Sequence, residues 1–300
     1  MRFELTGDQQ DFAASLESLL ASAGTVAAAR AWADGDHSAG LALWQRLAEQ
    51  GVTMLATEAT PVEVCIAFEA LGRHAVPGPW IESAAYLPVA LGREVAGPST
   101  VAVAPHTPLA LDADVAEEVY AAGPEGLRTA TAGAAHPSVD GTRRLFDVTP
   151  GTPVEHGDLA AAYDLAVLAT AAELLGAGER VLADSVAYVK QRKQFGREIG
   201  SYQAIKHKLA DVRIALDFAR PLVLGAALDP TPRSVSAAKV ACADAAYLAS
   251  RTGLQVHGAI GYTQEFDLSL WLTRIRALVA AWGTPAHHRA RILDSLVGSA

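Results

Sequence analysis

Along residues 202–228 the apolar side chains Ile205, Leu209, Val212 and Leu216 fall on one stripe, with Lys206, Lys208 and Arg213 between them. That period predicts an amphipathic helix, broken by Pro230 and Pro232. Residues 159–191, 234–257 and 265–282 read the same way, and Thr284-Pro285 reads as the N-cap and first residue of a last helix. Long amphipathic helices joined by short links predict an antiparallel four-helix bundle. Upstream, Thr6 is placed to cap a helix through about Leu20, with Asp8 in its first turn. A second helix begins near Gly40, carries Leu41, Leu43, Trp44 and Leu47, and stops at Gly51. A third covers residues 62–71, with Gly72 as its end. Pro77, Gly78 and Pro79 mark a turn, and another helix follows through about Leu91.

The pattern changes over residues 98–158, where Pro and Gly recur and short β-like runs appear at 100–104, 118–120 and 144–148. The expected fold is mainly α with a small β insert (α+β). It comprises an N-terminal helical domain over 1–97, a reduced middle β domain over 98–158 and a C-terminal bundle over 159–300.

Composition sharpens this. Hydrophobic residues make up 51% of the 300, enough for a sizeable core, and the 6% aromatic content suits packed helices better than a β-sandwich. A net charge of −9 argues against a nucleic-acid partner, since phosphate backbones need a basic face. Cys65 and Cys242 form no CxxC pair and read as buried thiols. The N-terminus has no signal-like apolar core, and the most apolar segment, 159–183, is interrupted by Asp164, Glu173 and Glu179. The expectation is a cytoplasmic protein that does not enter a membrane.

Two segments could carry chemistry. In Gln191-Arg-Lys-Gln-Phe-Gly-Arg197, Arg192 could pair bidentately with a pyrophosphate and Phe195 could offer a flat face to a ring. A solvated basic helix end accounts for the same residues. In Gln255-Val-His-Gly-Ala-Ile-Gly261, Gly258 and Gly261 allow close backbone approach and Gln255 both donates and accepts. His257 is either a proton donor or a satisfied core group. Glu265, Asp267 and Asp294 are candidate carboxylates that also fit helix ends or solvated faces, and the adjacent His287 and His288 make a poor metal pair.

Taken together these segments resemble the acyl-CoA dehydrogenase family. Arg192-Lys-Gln-Phe-Gly-Arg-Glu-Ile199, then Gln203 and Leu209-Ala-Asp-Val212, is similar to the family's RxxFGxxI…Q…LADM signature. Gln255 through Glu265 is similar to its QxxGGxGYxxE segment, with Ala259 in place of the second glycine. Leu43-Trp44…Leu47…Gly51 and Glu69-Ala-Leu-Gly-Arg73 extend the likeness to the N-terminal part. The resemblance implies FAD and the α,β-desaturation of an acyl-CoA thioester. A carboxylate takes the α proton and the flavin takes the β hydride.

The departures form a pattern. The family's T-E-P-x-x-G-S segment, which holds the flavin ring of its own subunit, has no counterpart in Val101-Ala-Val-Ala-Pro-His-Thr-Pro-Leu109. The family's glutamate base precedes a Gly-Thr pair, and here Trp282 precedes Gly283-Thr284. An indole has no usable proton acceptor. The alternative base position on the first bundle helix falls on Ala166, with Asp164 two residues away on another face. What remains are the groups that in the family reach across a dimer interface to the neighbour's FAD: Arg192, Gln194, Phe195, Gln203, Gln255 and Gly258. The resemblance is to short, non-catalytic-type subunits of actinobacterial heterotetrameric dehydrogenases that act on steroid side chains or ring fragments. It implies an α2β2 assembly with a larger paralogue that holds the acyl-CoA substrate. Two other readings stand beside it: a complete dehydrogenase with a displaced base, and a helical interaction protein without flavin.

Overall fold

The computed structural model describes residues 3–297. Helix α1 (Gly7–Ser22) starts behind Thr6, whose hydroxyl accepts from the Gln9 amide while the Gln9 side chain accepts from the Thr6 amide. Helices α2 (Thr25–Ala33), α3 (Ser38–Glu49), α4 (Leu55–Glu58) and α5 (Pro61–Arg73) follow. A π-helical turn, Glu82–Tyr86, then leads into α6 (Leu87–Leu91). Helix α2 went unpredicted because its inner positions are mostly alanine, which gives little contrast between faces. It is held by Trp32, whose ring lies over Gly40, where an added Cβ would sit 2.4 Å from the indole.

The β insert is one sheet of β1 (Ser99–Val103), β2 (Ala110–Leu111), β3 (Glu118–Gly123), β4 (Gly126–His136) and β5 (Leu145–Pro153), in the order β1-β3-β4-β5-β2. β1 pairs with β3 in parallel and the other pairs are antiparallel. The three expected runs lie in β1, β3 and β5. β4 has almost no β-branched apolar residues, and its ladders to β3 and β5, not its own composition, make it a strand.

The bundle is α7 (Leu159–Gln191), α8 (Gln203–Leu228), α9 (Pro232–His257), α10 (Leu268–Ala280) and α11 (Pro285–Val297). Asp158 caps α7 by accepting from the Ala160 and Ala161 amides. Thr231 and Ser234 form a capping box around Pro232 at the start of α9. α7 is the centre of the molecule, packed on α5, α8, α9 and α10. By length and composition it could cross a membrane, contrary to what Asp164, Glu173 and Glu179 suggested, but most of its apolar stretch is buried here by those neighbours. Both thiols are buried and free. Burial raises the pKa of each, Cys242 to about 12.

Two expectations are corrected. Gly72 does not end α5, which runs on to Arg73. It is instead where α5 crosses α7: a Cβ there would lie 2.0 Å from the Glu173 carbonyl oxygen, and one on Gly176 would lie 1.9 Å from that of Glu69. The helix expected over 265–282 is the shorter α10, which ends where Ala281 turns extended (ψ 144°), just before Trp282 with φ of +56°.

One buried cation joins all three regions. Arg274 on α10 donates to Asp140 (2.6 Å) and Thr142 (2.8 Å) in the loop before β5, to Glu173 on α7 (2.9 Å) and to the Val76 carbonyl after α5 (3.1 Å).

Candidate functional site

Trp282 is fully buried, with its ring facing Tyr86 (5.3 Å between centroids) and Tyr163 (6.2 Å). These aromatic neighbours come from the π-helical turn and α7. Left-handed backbone is rare for so bulky a residue, and the surroundings pin it from every side. Its amide donates to Thr107 Oγ1 (3.2 Å), and its carbonyl lies 2.9 Å from both Tyr163 Oη and His288 Nε2. Lys239, also buried, donates to the Leu278, Val279 and Gly283 carbonyls, which fixes the end of α10, and burial pulls its pKa down to about 7.

A cavity of about 320 Å³ remains beside this loop, lined among others by Tyr86, His106, Tyr163, His287 and Arg291. Two carboxylates of α7 are paired: Asp164 lies 2.5 Å from Arg291, and Glu173 is held by Arg274. Ala166, at the alternative base position, is fully buried. The His106 and His287 rings lie 4.0 Å apart, tilted by 39°, and burial lowers the pKa of both. No group of three or more metal-ligating side chains exists among the described residues.

The second locus is exposed. Arg192 caps the C-terminus of α7, its amide donating to the Tyr188 carbonyl (2.9 Å). A small hairpin follows, β6 (Lys193–Gln194) and β7 (Arg197–Glu198), turned by Phe195 (φ +51°) and Gly196 (φ +81°). A two-residue hairpin turn with both central residues left-handed suits glycine and strains phenylalanine. Phe195 stands outward at the tip of this turn, 92% exposed. The Arg197 guanidinium stacks on Tyr202 (4.0 Å), whose hydroxyl donates to the Gln194 carbonyl (3.4 Å). Arg192, Gln194 and Gln203 are all exposed, Gln203 as the first residue of α8.

Gln255 is exposed in the last turn of α9, and Gly258 follows with φ of +63° and open space where a Cβ would be. Both line a polar cavity of about 560 Å³ with Lys208, Arg251 and Tyr262. Arg192, Gln194, Phe195 and Gln203 do not line it, so the two motifs form neighbouring patches rather than one pocket. The link is Tyr188, whose ring stacks on His257 at 4.2 Å. His257 is a core residue: Nδ1 lies 2.8 Å from the Gly253 carbonyl oxygen, and burial lowers its pKa. Sequence reading missed Arg251 as a site residue, although its place four before Gln255 puts it on the same helix face. Lys208 passed for an ordinary polar position of α8. Asp267 is an ion-pair partner of Arg30 (2.8 Å), and Glu265 and Asp294 are exposed. The donor set of this face, with two cations, an amide and open glycine backbone, suits a phosphate-bearing ligand approaching from outside.

Comparison with known proteins agrees with this architecture. The family described as "Acyl-CoA dehydrogenase, C-terminal domain" matches residues 163–297. Acyl-CoA dehydrogenase IpdE2 of Mycobacterium tuberculosis is 32% identical over 308 residues, covering 96% of this chain and 93% of that protein. The fold is shared with the ChsE4-ChsE5 complex of Mycobacterium tuberculosis (TM-score 0.81, 20% identity, 99% of each chain). It is also shared with the Tcur3481-Tcur3483 steroid ACAD (TM-score 0.81, 21% identity, 97% of this chain and 98% of that one). The chain belongs to the acyl-CoA dehydrogenase family.

Proposed function

We propose that this chain is a non-catalytic subunit of an FAD-dependent acyl-CoA dehydrogenase complex, completing the flavin site of a larger paralogue across their interface. The observation that carries this reading is the packing of Trp282: the residue that the resemblance sets in place of the family's base is fully buried, and Asp164 and Glu173 on α7 are tied to arginines. Desaturation needs a free carboxylate within hydrogen-bond reach of the α carbon, a contribution of about 10²–10⁴-fold in rate. In this reading the partner supplies that base and the bound FAD accepts the hydride. This chain's part is to bind and orient. Arg192, Gln203 and Gln255 hold phosphate oxygens, the missing side chain of Gly258 leaves room for their approach, and Gln194 and Phe195 cover the cofactor from outside. That the two complexes of like fold each pair two named chains supports an α2β2 assembly, and the steroid ACAD supports a steroid-derived acyl group. Reading this chain as the domains 1–97, 98–158 and 159–300 places the cofactor-facing residues wholly in the last.

The test is co-expression with a full-length acyl-CoA dehydrogenase paralogue from the same genome, followed by an absorption spectrum and an acyl-CoA oxidation assay. The complex is expected to be yellow and active, and the isolated chain to bind little FAD and turn over no acyl-CoA. Trp282→Glu is expected not to confer activity on the isolated chain, since the flavin platform is missing as well, and to leave turnover of the complex nearly unchanged. Turnover by the isolated wild-type chain would overturn the reading.

Arg192→Ala tests the cofactor-facing role. Loss of one or two charge-assisted hydrogen bonds, each about 1.5–3 kcal/mol, is expected to lower the FAD occupancy of the complex while its helical circular dichroism stays unchanged. Unchanged occupancy would return Arg192 to the role of a solvated helix end.

A further inference from the structure

The π-helical turn Glu82–Tyr86 is buried at all five positions, and π turns of this kind often mark functional sites. Glu82 is 1% exposed, and neither of its carboxylate oxygens has a hydrogen-bond partner among the described residues. The charged groups facing it come from other elements: Arg143 from the loop before β5, Glu173 from α7 and Asp112 after β2. Glu173 is already bound to Arg274, which also holds Asp140. Asp112 takes a left-handed backbone (φ +48°). Its Oδ1 accepts from the Arg144 amide (3.1 Å) and lies 3.7 Å from the Arg144 guanidinium, which also pairs with Asp114 (2.7 Å), while its Oδ2 has no hydrogen-bond partner among the described residues. The next residue of the turn, Ser83, is hooked to the sheet. Its hydroxyl donates to the Ser99 carbonyl (2.6 Å) and accepts from the Ser99 amide (2.8 Å) at the start of β1.

An isolated carboxylate without hydrogen bonds in such a place is costly, and the group takes up a proton instead. We propose that Glu82 is carried as an uncharged acid in the folded chain and works as a proton-operated latch. The neutral side chain lets the sheet close on the N-terminal helices, and its ionisation loosens the junction through Ser83–Ser99 and the Arg143 loop. The direction agrees. Burial, opposed by Arg143, raises the pKa of Glu82 from 4.5 to about 7, and burial likewise raises that of Asp112 to about 6. A carboxyl whose folded pKa is raised binds its proton more tightly folded than unfolded. Its ionisation therefore removes stability progressively as pH rises from 4.5 to about 7, and the loss is constant above that. The buried histidines run the other way. His288, lowered to about 3, adds stability as pH rises through its window, so the wild-type profile alone decides nothing.

The experiment compares thermal unfolding of the wild-type chain and Glu82→Gln across this range. The two are expected to melt alike near about pH 4.5, and the variant to melt higher by about 5 °C near about pH 8.5. A gap that does not change with pH, or a variant less stable throughout, would overturn the latch. Should Glu82→Gln fail to fold, infrared spectra of Asp112→Asn decide: a protonated-carboxyl band near about pH 6 that vanishes by about pH 8.5 supports it, and no band near about pH 6 overturns it.

Discussion

Arg274→Ala is expected to destabilise the fold by about 3–5 kcal/mol, because it leaves two buried carboxylates without their cation. Asp140 and Glu173 are 1% and 4% exposed, and each loses a bond shorter than 3 Å to the same guanidinium. The Val76 carbonyl and the Thr142 hydroxyl lose a donor at the same stroke. In urea unfolding the midpoint should fall sharply with little change in slope, since the surface exposed on unfolding is nearly the same. Replacing Asp140, Glu173 and Arg274 together by uncharged residues of similar volume is expected to recover much of the loss, because the penalty lies in unpaired charge rather than in the absence of the pair. A single variant within about 1 kcal/mol of wild type would show that water reaches the cluster.

Gly176→Ala carries the second large effect, with a sign opposite to helix propensity. In an exposed helix interior this exchange stabilises by about 1 kcal/mol. On α7 the new methyl would lie 1.9 Å from the Glu69 carbonyl oxygen and 3.0 Å from the Arg73 amide nitrogen, both backbone atoms that cannot rotate away. The helices α5 and α7 must separate, and the expected loss is about 1–3 kcal/mol. Gly72→Ala meets the Glu173 carbonyl oxygen from the other side and should act alike. The double variant should cost less than the sum, since one separation relieves both clashes. Thermal unfolding of the three variants checks this, and a rise in melting temperature for Gly176→Ala would refute the close crossing.

The elements read well from the sequence where the signal is local. The 159–191 helix matches α7, and the Thr6 and Thr284 caps stand where side-chain oxygens could meet free amides. Reading failed where neighbours supply the reason for a shape. Alanine-rich α2 exists because Trp32 finds Gly40, and β4 because β3 and β5 flank it. Gly72 was taken for a stop because a glycine after an apolar run usually is one. The crossing partner that keeps it inside α5 sits a hundred residues further on, at Glu173.

By itself, then, the sequence determined the helical periods, the position of the β insert, and the polar Arg192–Ile199 and Gln255–Glu265 segments. Those are properties of neighbours along the chain, readable from period, capping and residue type. Only the tertiary structure decided which charges are spent. Asp164 and Glu173 are held by Arg291 and Arg274, each over a hundred positions away along the chain. It also separated the two motifs into adjoining patches, added Lys208 and Arg251 to one of them, and left Glu82 buried without a partner. Pairing across such separations depends on how helices cross, and no local pattern encodes a crossing.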